Sequence, residues 1–160
     1  MNRVMALCPT RFRPKKLKEA LVEFKANSVT SDIFFGFQDN DPDLEEYKQI
    51  TKEHNHIILG DIGMTYKVNE MIKQCPGYDG YWVLNDDQMT RTPGYDKAII
   101  EKVDEFEKEH GHRICIPYWR DGYNDGHSIC QSYCTKEMRD ILDGKYFPAP
   151  MRHYFSDNSY

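Results

Sequence analysis

One short apolar run near the middle of the chain ends abruptly in two adjacent carboxylates: Tyr81-Trp82-Val83-Leu84-Asn85-Asp86-Asp87. Its first four residues are aromatic or branched, which is typical of a buried strand. Ligands of open α/β sheets bind outside the carboxyl ends of the strands. Two carboxylates there repel each other unless a cation joins them, and Mg²⁺ and Mn²⁺ suit carboxylate oxygens together with substrate phosphates. The pair indicates a metal-assisted phosphate site, and the alternative is a solvated Asn-Asp turn.

The composition is that of one globular domain. The chain has 160 residues, 39% of them hydrophobic, and a formal net charge of −5. This charge argues against a broad nucleic-acid footprint or an anionic-membrane surface, because both need clustered cations. No apolar run approaches the roughly 20 residues of a membrane span. We expect a single soluble, cytoplasmic domain over residues 1–160, with one basic cluster from Arg11 to Lys18 that suits a phosphorylated ligand.

The five cysteines are scattered and odd in number, which favours reduced thiols over a disulfide framework. The spacing His127-x₂-Cys130-x₃-Cys134 would place three metal ligands on one face of a helix. However, the larger side chains of Ile129, Gln131 and Tyr133 alternate with those of Cys130, Ser132 and Cys134, and this alternation predicts a strand. The chain has no second cysteine pair that would complete a structural zinc site. The sequence therefore predicts buried thiols.

Strands and helices alternate along the first hundred residues, which predicts a largely parallel sheet with helices on both faces and right-handed crossovers. The predicted strands are Val4–Leu7, Asp32–Phe37, His56–Leu59, Tyr81–Leu84, Ile114–Trp119 and His127–Cys134. The predicted helices begin at Pro14 and Leu44, span Met64–Cys75, begin again at an N-cap Thr92 before Pro93, and span Thr135–Leu142.

Parallel topology brings the loops after three of these strands to one edge of the sheet. The three loops are Pro9-Thr10-Arg11, Asp39-Asn40-Asp41 and Asn85-Asp86-Asp87. A basic loop, an acidic loop and a carboxylate pair around one crevice indicate a cradle for a nucleoside diphosphate.

Each loop has a predicted task in this cradle. Arg11 or Arg13 can pair with phosphate oxygens, and the alternative for both is solvation or pairing with the acidic loop. Asp39 can accept hydrogen bonds from a base or ribose, and Asp87 can hold a cation that bridges two phosphates.

The order of these motifs resembles the GT-A glycosyltransferases of the family 2-like group. More narrowly, residues 85–96 resemble small GT-A-like proteins found in bacteriophage genomes, in which an Asp-Asp pair precedes an Arg-Thr-Pro-Gly-aromatic-Asp segment. His153-Tyr154-Phe155-Ser156-Asp157-Asn158 resembles the closing segment of that group. The resemblance covers nearly the whole chain. It implies a GT-A-like α/β sandwich with a central, mostly parallel sheet flanked by helices, acting in the cytoplasm, which is the host's if a phage encodes it.

The resemblance also implies where a nucleotide-sugar donor binds. Pro9, Thr10 and Arg11 would contact the nucleotide, and Asp39 would read the base or the ribose. Asn69 matches an asparagine that lies near the donor in the family. The donor is expected to be of UDP or GDP type, and the sequence does not decide between the two. It also leaves open the acceptor and whether the protein forms a homo-oligomer.

A cation and a base complete what the resemblance implies. Asp87 would be the principal ligand of Mn²⁺ or Mg²⁺, Asp86 a ribose contact or second ligand, and His153 a late ligand. If the enzyme inverts the anomeric centre, a carboxylate must activate the acceptor, and the candidates are Asp125 and Asp157. A turn role is the alternative for Asp125, because aspartate before glycine favours turns.

The chain departs from the family pattern in two places. Asn85 replaces the first carboxylate of the usual Asp-x-Asp triplet, which weakens the expected metal affinity. The chain is also shorter than such enzymes, so a minimal enzyme, a partial chain and a site completed by a partner all stay open. Two other functions compete with glycosyl transfer. One is a nucleotidyltransferase or nucleotide-sugar hydrolase, although the first strand lacks a glycine-rich phosphate loop. The other is a non-catalytic binding module.

Overall fold

The computed structural model describes residues 3–117 and 132–147, which form one mixed α/β layer structure. Its strands are β1 (Val4–Pro9), β2 (Ser31–Gln38), β3 (His56–Leu59), β4 (Gly80–Val83) and β5 (Tyr133–Thr135). Its helices are α1 (Pro14–Asn27), α2 (Leu44–Ile50), α3 (Met64–Gln74), α4 (Tyr95–His110) and α5 (Lys136–Ile141). No helix within the described ranges is long and apolar enough to cross a membrane.

The five strands form one sheet in the order β3-β2-β1-β4-β5. The first four are mutually parallel, and β5 runs antiparallel to β4. The chain moves outward from β1 to β3 and then returns to the other side of β1 with β4. The order of the strands therefore reverses between β1 and β4, and such a switch point opens a crevice at the carboxyl ends of the two strands.

Helices cover both faces of the sheet, as the sequence predicts. Side chains alternate along β1, so that Val4, Ala6 and Cys8 join one core cluster while Met5 and Leu7 join the other. The first cluster is completed by α1, α2 and α4, and the second by α3. Burial on both faces explains why β1 reads as a continuous apolar run.

The start of one helix differs from the prediction, and the start of another agrees with it. Helix α4 begins at Tyr95 and not after Thr92, because Gly94 caps it in the left-handed region (φ 68°) and donates its N–H to the carbonyl of Asn27 at 2.7 Å. The helix predicted to start at Thr135 is confirmed. Thr135 ends β5 and caps α5, accepting a hydrogen bond from the N–H of Met138.

The predicted strand Ile114–Trp119 is wrong over the part that the structure describes. Residues 113–117 form neither helix nor strand. The hydroxyl of Thr135 donates to the carbonyls of Arg113 (2.5 Å) and Cys115 (3.2 Å), which engages these backbone groups outside a strand ladder. Of the predicted strand His127–Cys134, residues 127–131 lie outside the described residues, while Tyr133 and Cys134 belong to β5.

Two glycines of the sheet lie where a neighbouring element approaches the backbone closely. A Cβ on Gly80 would overlap the hydroxyl and ring of Tyr133 on the adjacent β5, whereas a Cβ on Gly36 would meet the flexible side chain of Met71. A rigid ring has nowhere to move inside the sheet, but a methionine can adopt another rotamer.

We expect Gly80→Ala to destabilise the protein by about 1–3 kcal/mol, since overpacking displaces a side chain or the backbone. Gly36→Ala is the matched control, because it adds the same methyl group against a movable neighbour and should cost less. Urea unfolding followed by circular dichroism measures both. Equal losses for the two variants would contradict the role given to Tyr133.

Asp96 anchors the connection between α1 and β2. This side chain is 1% exposed. It accepts hydrogen bonds from the hydroxyl of Ser28 (2.7 Å) and from the N–H groups of Val29, Thr30 and Ser31. Burial alone would raise the pKa of Asp96, but the hydrogen bonds from Ser28 and from the backbone lower it to about 2. The aspartate of the Arg-Thr-Pro-Gly-aromatic-Asp segment thus has a structural role.

This lowered pKa predicts a pH dependence of stability. A carboxylate whose folded pKa is about 2 and whose unfolded pKa is near 3.8 stabilises the fold above pH 4 and loses that contribution as the pH falls towards 2. The contribution is about 2 kcal/mol. In urea titrations at pH 7, Asp96→Asn should lower the free energy of unfolding by about this amount. Between pH 7 and pH 3, the free energy of unfolding of this variant should fall less steeply with falling pH than that of wild type. Asp140→Asn, on the exposed face of α5, is the control and should behave like wild type.

Candidate functional site

The carboxyl ends of β1 and β4 bring two of the predicted loops into direct contact. The hydroxyl of Thr10 donates to Oδ2 of Asp86 at 2.5 Å. The guanidinium Nη1 of Arg13 lies 3.0 Å from Oδ2 of Asp87 and 3.5 Å from Oδ1 of Asp86. These four residues form one polar cluster at the switch point, which we call the edge cluster.

The loop that carries Thr10 and Arg13 is fixed by its backbone. The N–H of Thr10 donates to the carbonyl of Gly36 at 3.0 Å, and the N–H of Arg13 donates to the hydroxyl of the buried Tyr47 at 2.6 Å. Between them, Phe12 lies in the left-handed region (φ 58°), which residues other than glycine rarely adopt. These backbone contacts therefore fix the position of the Cα atom of Arg13, from which its side chain extends.

Asp41 supports this loop and does not face the ligand. Its carboxylate is 5% exposed and accepts hydrogen bonds from the N–H groups of Phe12 and Asp43, both at 2.9 Å. Asp39 is exposed at the same edge, where its N–H donates to the carbonyl of Leu59. The two aspartates of the acidic loop therefore have different roles. Asp41 is structural, and Asp39 remains accessible to a ligand.

The two carboxylates of the edge cluster lie in different environments. Asp86 is 5% exposed, whereas the side chain of Asp87 is 51% exposed. Burial raises the pKa of Asp86, while the hydrogen bond from Thr10 and the charge of Arg13 lower it. Burial also raises the pKa of the Cys8 thiol at the end of β1, and the neighbouring carboxylates raise it further. Cys8 is therefore a buried thiol whose pKa is raised, and Cys75 and Cys134 are likewise buried and free.

The cation that joins the two carboxylates in this structure is Arg13. The sequence predicts that Arg11 or Arg13 pairs with a ligand phosphate, with solvation or pairing with the acidic loop Asp39-Asn40-Asp41 as the alternative. The observed partners are Asp86 and Asp87, which belong to the predicted metal site.

The donor set fits a shared metal ion and not a dedicated cage. No group of three or more His, Cys, Asp or Glu side chains suited to a metal occurs within residues 3–117 and 132–147. Mg²⁺ is commonly held by one or two carboxylates together with substrate phosphates, and Asp86 with the half-exposed Asp87 matches that arrangement. The third predicted ligand, His153, and the predicted bases, Asp125 and Asp157, lie outside the described residues.

Lys67 is a site residue that the sequence analysis missed. It is 5% exposed on α3, and burial lowers its pKa, as does the charge of Arg11, whereas Asp41, Asp61 and Asp86 raise it. The spacing of apolar residues along α3 would have revealed this lysine. Lys67 stands four residues before Met71, which faces the sheet, so a lysine occupies the buried stripe of an amphipathic helix. Its position among these charges adds a third cation to the edge of the sheet.

Arg11 and Asn69 have partners away from the edge cluster. Nη1 of Arg11 lies 3.8 Å from Oδ1 of Asp61, and its guanidinium is 4.4 Å from the ring of Phe12. The amide of Asn69 accepts from the N–H groups of Tyr146 and Phe147 and donates to the carbonyl of Phe147 at 3.0 Å. Asn69 therefore anchors the segment after α5, and its predicted contact with a donor stays a prediction.

Comparison with known proteins finds similarity in structure and not in sequence. No protein-family model matches the chain, and no curated protein matches it. The structure resembles a mannosyltransferase from Pyrobaculum calidifontis in complex with GDP-Man and Mn²⁺, with a TM-score of 0.62 and 11% identity over 88% of this chain and 46% of the other. The fold is GT-A-like.

Two further solved structures have the same architecture. A cytidylyltransferase from Leptospira borgpetersenii serovar Hardjo-bovis matches with a TM-score of 0.55 and 12% identity over 95% of this chain and 67% of that one. The apo form of the glycosyltransferase GlyE from Streptococcus pneumoniae matches with a TM-score of 0.55 and 12% identity over 90% of this chain and 38% of that one. The chain spans less than half the length of both glycosyltransferases. At these identities the likeness establishes the GT-A-like fold alone.

The hydrogen bond between Thr10 and Asp86 predicts a stability effect at the edge cluster. Thr10→Val keeps the shape but leaves a buried carboxylate without this donor, which should cost about 1–3 kcal/mol. Thr10→Ser keeps the hydroxyl and should lose much less. Urea unfolding at pH 7 measures both, and a valine variant as stable as the serine variant would show that the bond contributes nothing.

Proposed function

We propose that the protein is a divalent-metal-dependent glycosyltransferase, which moves a sugar from a nucleoside-diphosphate sugar to an acceptor. The observation that carries this proposal is the edge cluster at the switch point between β1 and β4. There, two carboxylates and an arginine lie where open α/β sheets bind their ligands.

The charge balance at this edge favours a metal ion together with a diphosphate. Among the described residues, carboxylates at the edge outnumber cationic side chains. The carboxylates are Asp39, Asp41, Asp61, Asp86 and Asp87, and the cations are Arg11, Arg13 and Lys67. A diphosphate would be repelled by this excess of negative charge, and a divalent cation on Asp86 and Asp87 would offset it.

Each group in the proposed site has a task. When bound, the metal would neutralise charge on the departing diphosphate. Asp87, the exposed carboxylate, would be its principal ligand, and Asp86 would orient it from the buried side. Arg13 would contact phosphate oxygens, and Asp39 would accept hydrogen bonds from the base or the ribose. Asp125 or Asp157 would supply the acceptor's base in an inverting reaction.

The loop after β1 favours glycosyl transfer over nucleotidyl transfer. A nucleotidyltransferase cradles phosphates with backbone N–H groups of a glycine-rich loop, as the sequence analysis expects for that class. Here the N–H groups of Thr10, Phe12 and Arg13 donate to Gly36, Asp41 and Tyr47. These three backbone donors are already engaged within the protein, so in the proposed site side chains and a metal would bind the phosphates.

The mannosyltransferase and GlyE support the proposal through their shared fold, as the cytidylyltransferase supports the nucleotidyltransferase alternative. A binding module that lacks catalysis would retain donor binding without any turnover. Release of a nucleoside diphosphate from a nucleotide sugar separates these functions. A nucleotidyltransferase releases pyrophosphate, a nucleotide-sugar hydrolase releases a nucleoside monophosphate, and a binding module releases nothing.

Thermal unfolding with a panel of nucleoside diphosphates and nucleotide sugars tests donor binding. We expect one nucleotide to raise the midpoint in the presence of Mn²⁺ or Mg²⁺ but not EDTA, by an increment that grows with ligand concentration over Kd. Asp87→Asn should abolish the metal-dependent shift, while Asp140→Asn, a carboxylate on α5, should keep it. Absence of a shift with every nucleotide and metal would refute the proposed donor site.

A further inference from the structure

Arg13 contacts one oxygen of each of the two carboxylates that would hold a metal ion at this site. Its Nη1 lies 3.0 Å from Oδ2 of Asp87 and 3.5 Å from Oδ1 of Asp86. The other oxygen of Asp86, Oδ2, is engaged by the hydroxyl of Thr10 at 2.5 Å. A cation that bridges the two carboxylates would therefore meet the guanidinium at both of its protein ligands.

The backbone contacts of the fold determine the position of Arg13. Its N–H donates to the buried hydroxyl of Tyr47 at 2.6 Å, and Asp41 holds the preceding residue, Phe12. The Arg13 side chain is 34% exposed, so one side of it stays open to an incoming ligand. Two cations cannot share these oxygens without mutual repulsion, since they would lie within a few ångströms of each other.

A nucleoside diphosphate would resolve this conflict. Guanidinium groups pair with phosphate oxygens through two parallel hydrogen bonds, so a diphosphate beside the edge cluster would offer Arg13 a new partner. Arg13 would then leave the carboxylates, and the metal could bind both the carboxylates and the phosphates. Without the diphosphate, the metal must displace an arginine whose only acidic partners among the described residues are these two carboxylates.

We propose that Arg13 is a positioning residue that couples metal binding to diphosphate binding. This inference rests on the proposed function. It adds that, at the same site, the affinity for the metal depends on whether the diphosphate is bound. In the absence of nucleotide, Arg13 neutralises the carboxylate pair and lowers its affinity for the metal. Each ligand therefore raises the affinity for the other by the same factor, as linkage requires.

Arg11 provides the matched control. It belongs to the same loop and carries the same charge, but its guanidinium faces Asp61 at 3.8 Å and the ring of Phe12. Removing Arg11 therefore changes the total charge of the site by the same amount without freeing the oxygens of Asp86 and Asp87.

The experiment measures the Kd of Mn²⁺ with and without a saturating nucleoside diphosphate, using electron paramagnetic resonance of free Mn²⁺. UDP and GDP serve as probes, and the proteins are wild type, Arg13→Gln and Arg11→Gln. In wild type, the nucleotide should tighten Mn²⁺ binding by a factor in the usual range of about 5–150. Arg13→Gln should bind Mn²⁺ more tightly than wild type without nucleotide, and its coupling factor should fall towards 1. Arg11→Gln should weaken nucleotide binding, because Arg11 is expected to contact the nucleotide, but it should keep the wild-type coupling factor once the nucleotide is saturating.

The outcomes separate this inference from the proposed function. If wild type binds Mn²⁺ and nucleotide with a coupling factor that Arg13→Gln retains, the inference is wrong and the proposed donor site stands. If wild type binds neither ligand, the proposed site fails and the inference fails with it. Circular dichroism establishes that each variant is folded. Should the glutamine variant not fold, Arg13→Lys, which keeps the charge but lacks the planar fork, must lower the coupling factor below the wild-type value, and an unchanged factor overturns the inference.

Discussion

The buried carboxylate of Asp86 is the constraint on which the candidate site depends. It lies at the end of β4 beside the end of β1, and only 5% of it is exposed. A buried charge is costly unless it is paired and hydrogen-bonded, and here Thr10 and Arg13 supply the partners. Both partners come from the loop after β1, so this loop must adopt one conformation. Asp41 and Tyr47 enforce it by accepting the N–H groups of that loop, which ties β2 and α2 to the same carboxylate.

The sheet could be predicted from sequence because its central strands are buried on both faces. Continuous apolar runs mark such strands, and turn residues separate them from helices of ordinary period. The prediction was wrong where a tertiary contact decided the outcome. Gly94 starts α4 because its N–H meets the carbonyl of Asn27, 67 positions earlier. Ile114 and Ile116 alternate like strand residues, yet both are exposed and the adjacent carbonyls bind the hydroxyl of Thr135.

The sequence could place the site at one edge of the sheet but could not assign its pairings. Parallel topology alone brings together the loops after β1, β2 and β4. Whether Arg13 faces a phosphate or a carboxylate depends on distances of a few ångströms, which no motif encodes. Asp39 and Asp41 are near neighbours in sequence, but one is exposed and the other supports a backbone turn. Lys67 could have been found, because a lysine on the buried stripe of α3 conflicts with the hydrophobic pattern.

The internal pairing of this edge determines how a ligand must be recognised. Three backbone donors of the loop after β1 are used within the protein, so recognition of a phosphate at the proposed site would depend on cationic side chains. Arg11 and Arg13 are each paired with a carboxylate. A contact of either arginine with the phosphate of the proposed donor would therefore replace an ion pair that already exists, and the net gain would be the small difference between two similar electrostatic terms. A divalent cation at the proposed site would change this balance, because it would compensate the carboxylates that the arginines release and add its own attraction for the phosphates.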